Sequence, residues 1–335
     1  MNQEKTLTVV IPSYNVEKYL DQTLTSFINN EIMDEIEILI VDDGSKDRTA
    51  EIGLKYEKIY PNTFKLISKE NGGHGSAINT GIRNATGKYL KNVDGDDWVD
   101  TEEFVKLVKA LKSCDSDYVY TGYTEYHEND NTMKKNDRLD NLEKMDFDQF
   151  ITKSKSRYPM HCLTTKTKIL QDNNITLDEH CFYVDMEFAL YPLPYVRTVT
   201  CLDLYVYIYR LGLQTQSVSN EGKKKNRNDH YKVLFKIIEF LVEFDERNLL
   251  SVAKKTFLLR EIFYLALTQY DIYFLFDVNE DKIKKELVSF NKELKNKNTQ
   301  IYNDISRIGR IRLFRLLKDV AYEPCIKLIQ KKLYE

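Results

Sequence analysis

At 335 residues, with 42% apolar and 30% charged side chains, the chain is long enough for one large globular domain plus an addition. Its 49 Lys and Arg against 52 Asp and Glu give a formal net charge of −3, which leaves no basic footprint for a nucleic-acid partner. No apolar run approaches the ~20 residues that span a bilayer, and Met1-Asn2-Gln3-Glu4-Lys5 leads to the first apolar run without a cleavable segment. The expected location is therefore the cytoplasm. Cys114, Cys162, Cys181, Cys201 and Cys325 are odd in number and scattered. They read as reduced thiols rather than disulfides, and His161-Cys162 and His180-Cys181 lack the Cys-x-x-Cys companion that a zinc reading needs.

The first predicted element is the run Leu7 to Ile11, a buried strand ended by Pro12 and followed by a helical pattern at Val16, Leu20, Leu24, Phe27 and Ile28. A second strand, Ile36 to Val41, ends in Asp42-Asp43-Gly44-Ser45 and a helix start near Asp47. Strand, polar loop and helix, repeated, predict a parallel α/β sheet with its site at the carboxyl edge. A third strand, Phe64 to Ile67, precedes Asn71-Gly72-Gly73-His74-Gly75 and a helix over Ser76 to Asn84. Because Ile78 stands where a third glycine would be, and no Gly-Lys-Ser or Gly-Lys-Thr occurs, neither a dinucleotide fingerprint nor a P-loop is present. The glycines allow close backbone approach and offer N–H donors suited to an anionic ligand.

Lys88 to Val93 then runs into Asp94-Gly95-Asp96-Asp97-Trp98, three carboxylates in four positions. Such carboxylates repel unless a cation lies between them, and Mn2+ or Mg2+ prefers oxygen ligands while leaving positions open for substrate phosphates. Asp94 and Asp96 are the candidate metal ligands. The same residues also fit an acidic turn opening the next helix, with Asp100 or Thr101 as N-cap.

Taken in order and spacing, Val10 to Asn15, Val41 to Ser45, Asn71-Gly72-Gly73 and Asp94 to Asp97 resemble the family 2 glycosyltransferases, over roughly residues 6 to 220. The resemblance implies a GT-A-type Rossmann-like mixed sheet flanked by helices, a UDP-sugar donor, and inversion by a single displacement. It places Pro12, Tyr14 and Asn15 at the donor nucleotide, with Tyr14 able to stack on the base. Asp43 resembles the acid that accepts from the uracil imide, although Asp42 and Asp43 also fit an Asx turn. Asn71, Gly72 and Gly73 are implied to lie against the donor, and Asp94 to serve donor as well as metal. Many relatives carry arginine before the asparagine where this chain has Ile78-Asn79, leaving His74 as a substitute contact. Asp185, in Phe182 to Phe188, aligns with the catalytic base; Val184 replaces the usual glutamate, and Glu187 is the nearest remaining acid. Arg210 and Gln216-Ser217-Val218-Ser219 resemble a segment that folds over the diphosphate, and fit a plain linker equally.

Asp203 to Arg210 alternates, with Tyr205, Tyr207 and Tyr209 on one face, read as a packing face before a sugar-stacking one. The basic run Asn220 to Arg227 marks a boundary between a catalytic domain, 1–220, and a helical domain, 221–335, for packing, oligomerisation or acceptor contact. Tyr231, Leu234, Ile238, Leu241 and Phe244 form a helical stripe, and Phe257 to Phe276 is largely apolar and aromatic, broken by Arg260, Glu261 and Asp271. Trp98 is the sole tryptophan, so the processive-synthase Gln-x-x-Arg-Trp motif is absent and single-sugar transfer is favoured. The tail mixes Ile305, Ile308, Ile311 and Phe314 with Arg307, Arg310, Arg312 and Arg315. That composition suits either an anionic lipid surface, with a lipid-linked glycan as acceptor, or a helix packed on its own domain. Two rivals remain: a catalytically silent nucleotide-sugar-binding scaffold, and a sugar-phosphate nucleotidyltransferase, whose glycine-rich, arginine-bearing first loop Pro12-Ser13-Tyr14-Asn15 does not match.

Overall fold

The computed structural model describes residues 5–136, 142–154, 158–212 and 217–334. The chain divides into two compact units, Met1–Leu213 and Gln214–Glu335.

The first unit runs β1 (Leu7–Ser13), α1 (Leu20–Thr25), β2 (Ile36–Asp42), α2 (Thr49–Ile59), β3 (Phe64–Ser68), α3 (His74–Asn84), β4 (Tyr89–Asn92), β5 (Trp98–Val99), α4 (Thr101–Ser113), β6 (Tyr118–His127), β7 (Thr132–Lys135), β8 (Leu142–Asp146), α5 (Phe147–Lys153), β9 (Leu163–Lys166), α6 (Thr167–Asp172), α7 (Asp185–Leu190) and β10 (Thr198–Leu211). Its sheet has the order β3-β2-β1-β4-β9-β6-β10-β5, with β7 on β6 and β8 on β10. β3, β2, β1 and β4 are parallel, while β9 is antiparallel to β4 and β6, so the sheet is mixed. A near-continuous β-branched run makes β1 wholly buried, as a strand covered on both faces must be. The core gathers Val9, Ile11, Ile38, Ile40, Phe27, Phe104 and Leu107. Parallel β1, β2 and β4 end together, and their three polar loops share one edge of the sheet. That is where ligands sit in open α/β sheets.

Two segments differ from the expected pattern. α3 begins at His74 rather than Ser76, because Gly73 adopts φ +85° and turns the chain into the helix two residues early. Register shifts between Leu202, Tyr205 and Tyr207 interrupt the alternation of β10. Tyr207, fully buried, and Tyr209, part-buried, both pack against the His161 ring as their shared face predicts, while Tyr205, across the register shift, packs over Gly122 with Lys135 above its ring. Bulges of this kind re-aim side chains that a period of two would align.

The second unit is helical among its described residues: α8 (Asn220–Lys225), α9 (Arg227–Glu246), α10 (Val252–Phe274), α11 (Asp281–Lys297), α12 (Thr299–Ile305), α13 (Gly309–Leu317) and α14 (Tyr322–Tyr334). Leu234, Ile238 and Leu241 of α9 are buried, as their stripe predicts. In the tail, Ile305, Ile311 and Phe314 face inward, while Leu316 and Val320 stay exposed. Arg310 is bonded to both carboxylate oxygens of Asp271, and Arg315 reaches Asn291, the Tyr302 carbonyl and Tyr270. Ile305, Ile311 and Phe314 of that tail, and two of its arginines, thus serve internal packing. No helix among the described residues is long and apolar enough to cross a membrane. The units carry opposite charge: 24 Lys and Arg against 17 Asp and Glu over 214–335, leaving 25 against 35 over 1–213.

Candidate active site

The loops after β1 and β2 are tied to each other by short polar side chains. Asn15, at φ +53°, donates its N–H to Ser45 Oγ at 3.0 Å and accepts the Lys46 N–H at 2.8 Å through Oδ1. Asp42 accepts the Ser45 N–H at 3.0 Å, closing an Asx turn. Asn15 and Asp42 therefore shape the loops. Tyr14, about half exposed, lines the open edge.

Asp43 behaves differently from its neighbour. Its carboxylate accepts the Gly72 N–H at 2.9 Å, the Gly73 N–H at 2.7 Å and Lys69 Nζ at 2.8 Å, and its carbonyl accepts from Asn71 Nδ2 at 2.9 Å. The glycine N–H donors expected to meet an anionic ligand are thus taken by an internal anion. The loop closes on Asp43 because a buried carboxylate needs several donors at once. What the glycines contribute is space: a Cβ on Gly72 would overlap Ser76 Oγ.

A cavity of about 430 Å³ opens among Pro12, Ser13, Tyr14, Asp43, Asn71, Gly73, His74 and Ala77, closed on one side by His180, Cys181 and Phe182. The last three were not anticipated as site residues. No spacing rule marks them, since they enter through a loop whose path depends on contacts across the fold. Their closeness in sequence to Asp185 is the one available signal.

The acidic turn after β4 is held from behind. Asp97 is fully buried; its Oδ2 accepts from the Tyr207 hydroxyl at 2.5 Å and its Oδ1 from the Arg210 N–H at 2.7 Å. Thr23 Oγ1 donates to the Gly95 and Asp97 carbonyls at 3.1 and 2.6 Å. Asp100 caps α4, accepting the Glu103 N–H at 3.0 Å. Arg210, expected among the donor contacts, is tied to this turn. Its guanidinium donates to the Asp96 carbonyl, Glu128 and Gln22 at 2.8, 2.6 and 2.8 Å, and stacks among Tyr19, Trp98 and Tyr126. Planar stacking with a forked donor set is what arginine does best, and here both serve the turn itself. Gln216 lies outside the described residues; Ser217 and Val218 precede α8, and Ser219 caps it.

Asp94 and Asp96 are the half-buried carboxylates of the turn. Asp94 Oδ1 is buried and accepts no hydrogen bond, with His74 Nε2 at 3.6 Å, beyond that range. The Asp96 carboxyl is pushed up to about 6, by burial first and by Asp94 next. An orphaned carboxylate oxygen beside a second strained carboxylate is the hard oxygen donor set that a divalent cation satisfies. Among the described residues no group of three His, Cys, Asp or Glu side chains forms a metal cage. Any further ligands would come from phosphate and water, as magnesium-type sites allow.

Asp185 is the first residue of α7, behind the N-cap Val184, and its carboxylate accepts from backbone N–H groups of that first turn, Met186 and its own. Burial raises its pKa above the ordinary carboxylate range, His74 opposes the shift and Asp94 adds to it. Asp185, His74 and Asp94 therefore share one electrostatic field, although 91 positions separate Asp94 from Asp185.

The profile of glycosyl transferase family 2 matches residues 8–181. The chain belongs to that family. It is 29% identical over 210 residues to the uncharacterized glycosyltransferase EpsJ of Bacillus subtilis (strain 168), covering 61% of this chain and 60% of EpsJ. It is 30% identical over 183 residues to the minor teichoic acid biosynthesis protein GgaB of the same strain, covering 52% of this chain and 19% of GgaB. The matches thus span less than two thirds of those relatives' lengths. In fold, the chain is similar to S. aureus TarS 1-349 in complex with UDP-GlcNAc, at TM-score 0.73 and 19% identity, over 98% of this chain and 91% of that one. A more distant likeness, TM-score 0.54 and 14% identity, is to the mannosyltransferase PcManGT from Pyrobaculum calidifontis in complex with GDP-Man and Mn2+, over 99% of this chain and 89% of that one. These likenesses establish a GT-A-type fold for the family 2 chain.

Proposed function

We propose that this protein is an inverting, metal-dependent glycosyltransferase that moves one sugar from a UDP-sugar to a hydroxyl of a glycan or lipid-linked acceptor during synthesis of a bacterial surface glycan. The observation that carries the reading is the convergence of the cavity beside Tyr14 and Asp43 with the Asp94–Asp96 turn and Asp185. The teichoic acid role of GgaB and the UDP-GlcNAc in the TarS complex point to the same class of donor and acceptor.

The nucleotide would lie in the cavity with its base against Tyr14 and Pro12. Asp43 can still accept from a uracil imide, because each carboxylate oxygen has two lone pairs. Asp94 and Asp96 would hold a divalent cation, whose chemistry is to neutralise charge on the departing diphosphate. Asp185 accepts the proton of the acceptor hydroxyl as its oxygen bonds to the anomeric carbon and the carbon–oxygen bond to the diphosphate breaks. Burial suits this role, since a base whose pKa lies nearer the working pH transfers protons more effectively. One displacement from the face opposite the diphosphate inverts the centre, so no carboxylate nucleophile is required. The helical unit remains available for acceptor or membrane contact and for self-association.

UDP release from a panel of UDP-sugars, with Mn2+, Mg2+ or EDTA, tests the reading. Metal-dependent release from one donor, lost in Asp96→Asn and Asp185→Asn, is the expected result. Equal release by Asp185→Asn and wild type would remove Asp185 from the chemistry. Metal-dependent UDP binding with no turnover on any donor or lipid-linked acceptor would favour the silent scaffold.

A further inference from the structure

The segment that delivers Asp185 to the site is fastened to the glycine loop rather than hung free beside it. Asn79, on α3 and 2% exposed, holds Leu177 by both ends of its amide: Nδ2 donates to the Leu177 carbonyl at 2.9 Å and Oδ1 accepts the Leu177 N–H at 2.9 Å. Three residues on, the His180 N–H donates to the Gly72 carbonyl at 2.5 Å. The Asp178 N–H donates to Glu187 Oε2 at 2.7 Å, binding the segment to α7 as well. The fit is close enough to dictate residue type, since a Cβ on Gly75 would overlap the Asp178 carbonyl oxygen and one on Gly73 would lie 3.0 Å from the His180 N.

Between those fastenings, His180 and Tyr183 adopt φ +49° and +66°. Non-glycine residues keep such backbone only where their surroundings over-determine it. The bidentate Asn79 amide does this on the α3 side: two opposed hydrogen bonds fix both the position and the direction of Leu177. Glu187 does it on the α7 side.

We propose that Asn79 is a positioning residue for the reaction, and that through Leu177 it makes residues 71–75 and 177–184 a single clamp. The glycine loop touches the nucleotide and the far segment carries the base, so Asn79 sets the distance between donor and Asp185 without touching either. The proposal rests on the assignment of Asp185 as base, and the clamp itself can be tested apart from it.

The experiment compares Asn79→Ala and Asn79→Asp with Asn84→Ala, whose side chain donates to the Thr80 carbonyl of its own helix at 2.9 Å. Two readouts are taken: steady-state UDP release, and amide hydrogen exchange with and without UDP. A small misplacement of a reacting group costs on the order of 10- to 100-fold. Asn79→Ala is expected to lower kcat by at least about tenfold with donor KM within about threefold, while Asn84→Ala keeps wild-type values. Asn79→Asp, which retains the acceptor but not the donor, falls between and serves if the alanine variant does not fold. In exchange, UDP protects 71–75 and 177–184 together in wild type, and only 71–75 in the Asn79 variants. Unchanged kcat in folded Asn79→Ala, a fall in kcat no larger than the fall in folded fraction, or joint protection surviving in the variants would each overturn the proposal. If wild type turns over no donor, the base assignment fails and the exchange comparison still decides the clamp.

Discussion

Tyr207 and Asp97 form a buried phenol–carboxylate pair directly beneath the candidate metal turn, and the same phenol oxygen accepts the Asp94 N–H at 3.2 Å. One side chain of β10 thus fixes both ends of the Asp94–Asp97 turn. Tyr207→Phe keeps the ring but leaves Asp97 Oδ2 without its donor. The expected loss, read by urea unfolding, is about 1–3 kcal/mol for an unsatisfied buried acceptor. Mn2+ affinity should weaken in the same variant, whereas a purely local packing role would leave it unchanged.

Asp96 should cost stability in the metal-free protein. Its folded pKa of about 6 lies above the ordinary aspartate value, with burial the leading cause. Below the ordinary value both states are protonated. As pH rises from there to about 6 the unfolded chain ionises first, so stability is lost across that window and stays lost at neutral pH. Asp96→Asn is therefore expected to raise Tm at pH 7 in EDTA, by at most the equivalent of roughly 3 kcal/mol. Mn2+ should raise the Tm of wild type and not of the variant. A Tm lowered by the substitution would contradict this account.

Asp185→Asn should lower kcat by about 10²- to 10⁴-fold, the usual range for a general base, with UDP affinity in calorimetry nearly unchanged. In wild type the acid limb of kcat/KM should fall as the Asp185 carboxylate is protonated. Because its pKa is raised by burial, that limb lies above the range of a free aspartate. A rate flat down to about pH 4, the ordinary aspartate range, would exclude Asp185 as the titrating base.

Each unit also holds one buried neutral histidine. Burial depresses His161 to about 3, with Lys91 adding to the shift. It depresses His230 to about 4, against the Gln269 hydrogen bond. Unfolded histidine titrates near 6.5, so the stability these rings confer is complete above that value and is lost as pH falls through it toward the folded pKa. Chemical unfolding at stepped pH should show a slope approaching about 1.4 kcal/mol per unit for each ring between about 6 and 4. His161→Phe and His230→Phe should each flatten it.

Much of the first unit was readable from residue order. Strand, polar loop and helix recur on a length scale at which local pattern decides structure, so β1, β2, β3 and the loop that ends each follow from Leu7, Ile36 and Phe64 onward. The carboxylates at Asp94 and Asp96 stood out because like charges cluster only for a reason. The partners of Asp43 and Arg210 were not readable in the same way. Whether a carboxylate meets a ligand or a neighbouring loop depends on which backbone N–H groups arrive beside it, and Gly72 and Gly73 arrive through the tertiary path of another loop. Arg210 was hidden for a similar reason, since its partners, at Gln22, Asp96, Glu128 and the Tyr19, Trp98 and Tyr126 rings, come from across the chain. Position in a motif gives a residue's address, and its partners decide its task.

The formal charge of −3 averages two halves that would behave as different proteins in an electric field. With ten more acids than bases before Gln214 and seven more bases than acids from there on, the acidic unit suits an anion exchanger and the basic unit a cation exchanger. At low ionic strength the acidic half of one molecule attracts the basic half of another, so solutions should turn turbid on desalting and clear again as salt shortens the screening length. The isoelectric point of the whole chain is therefore a poor guide to how this protein should be purified.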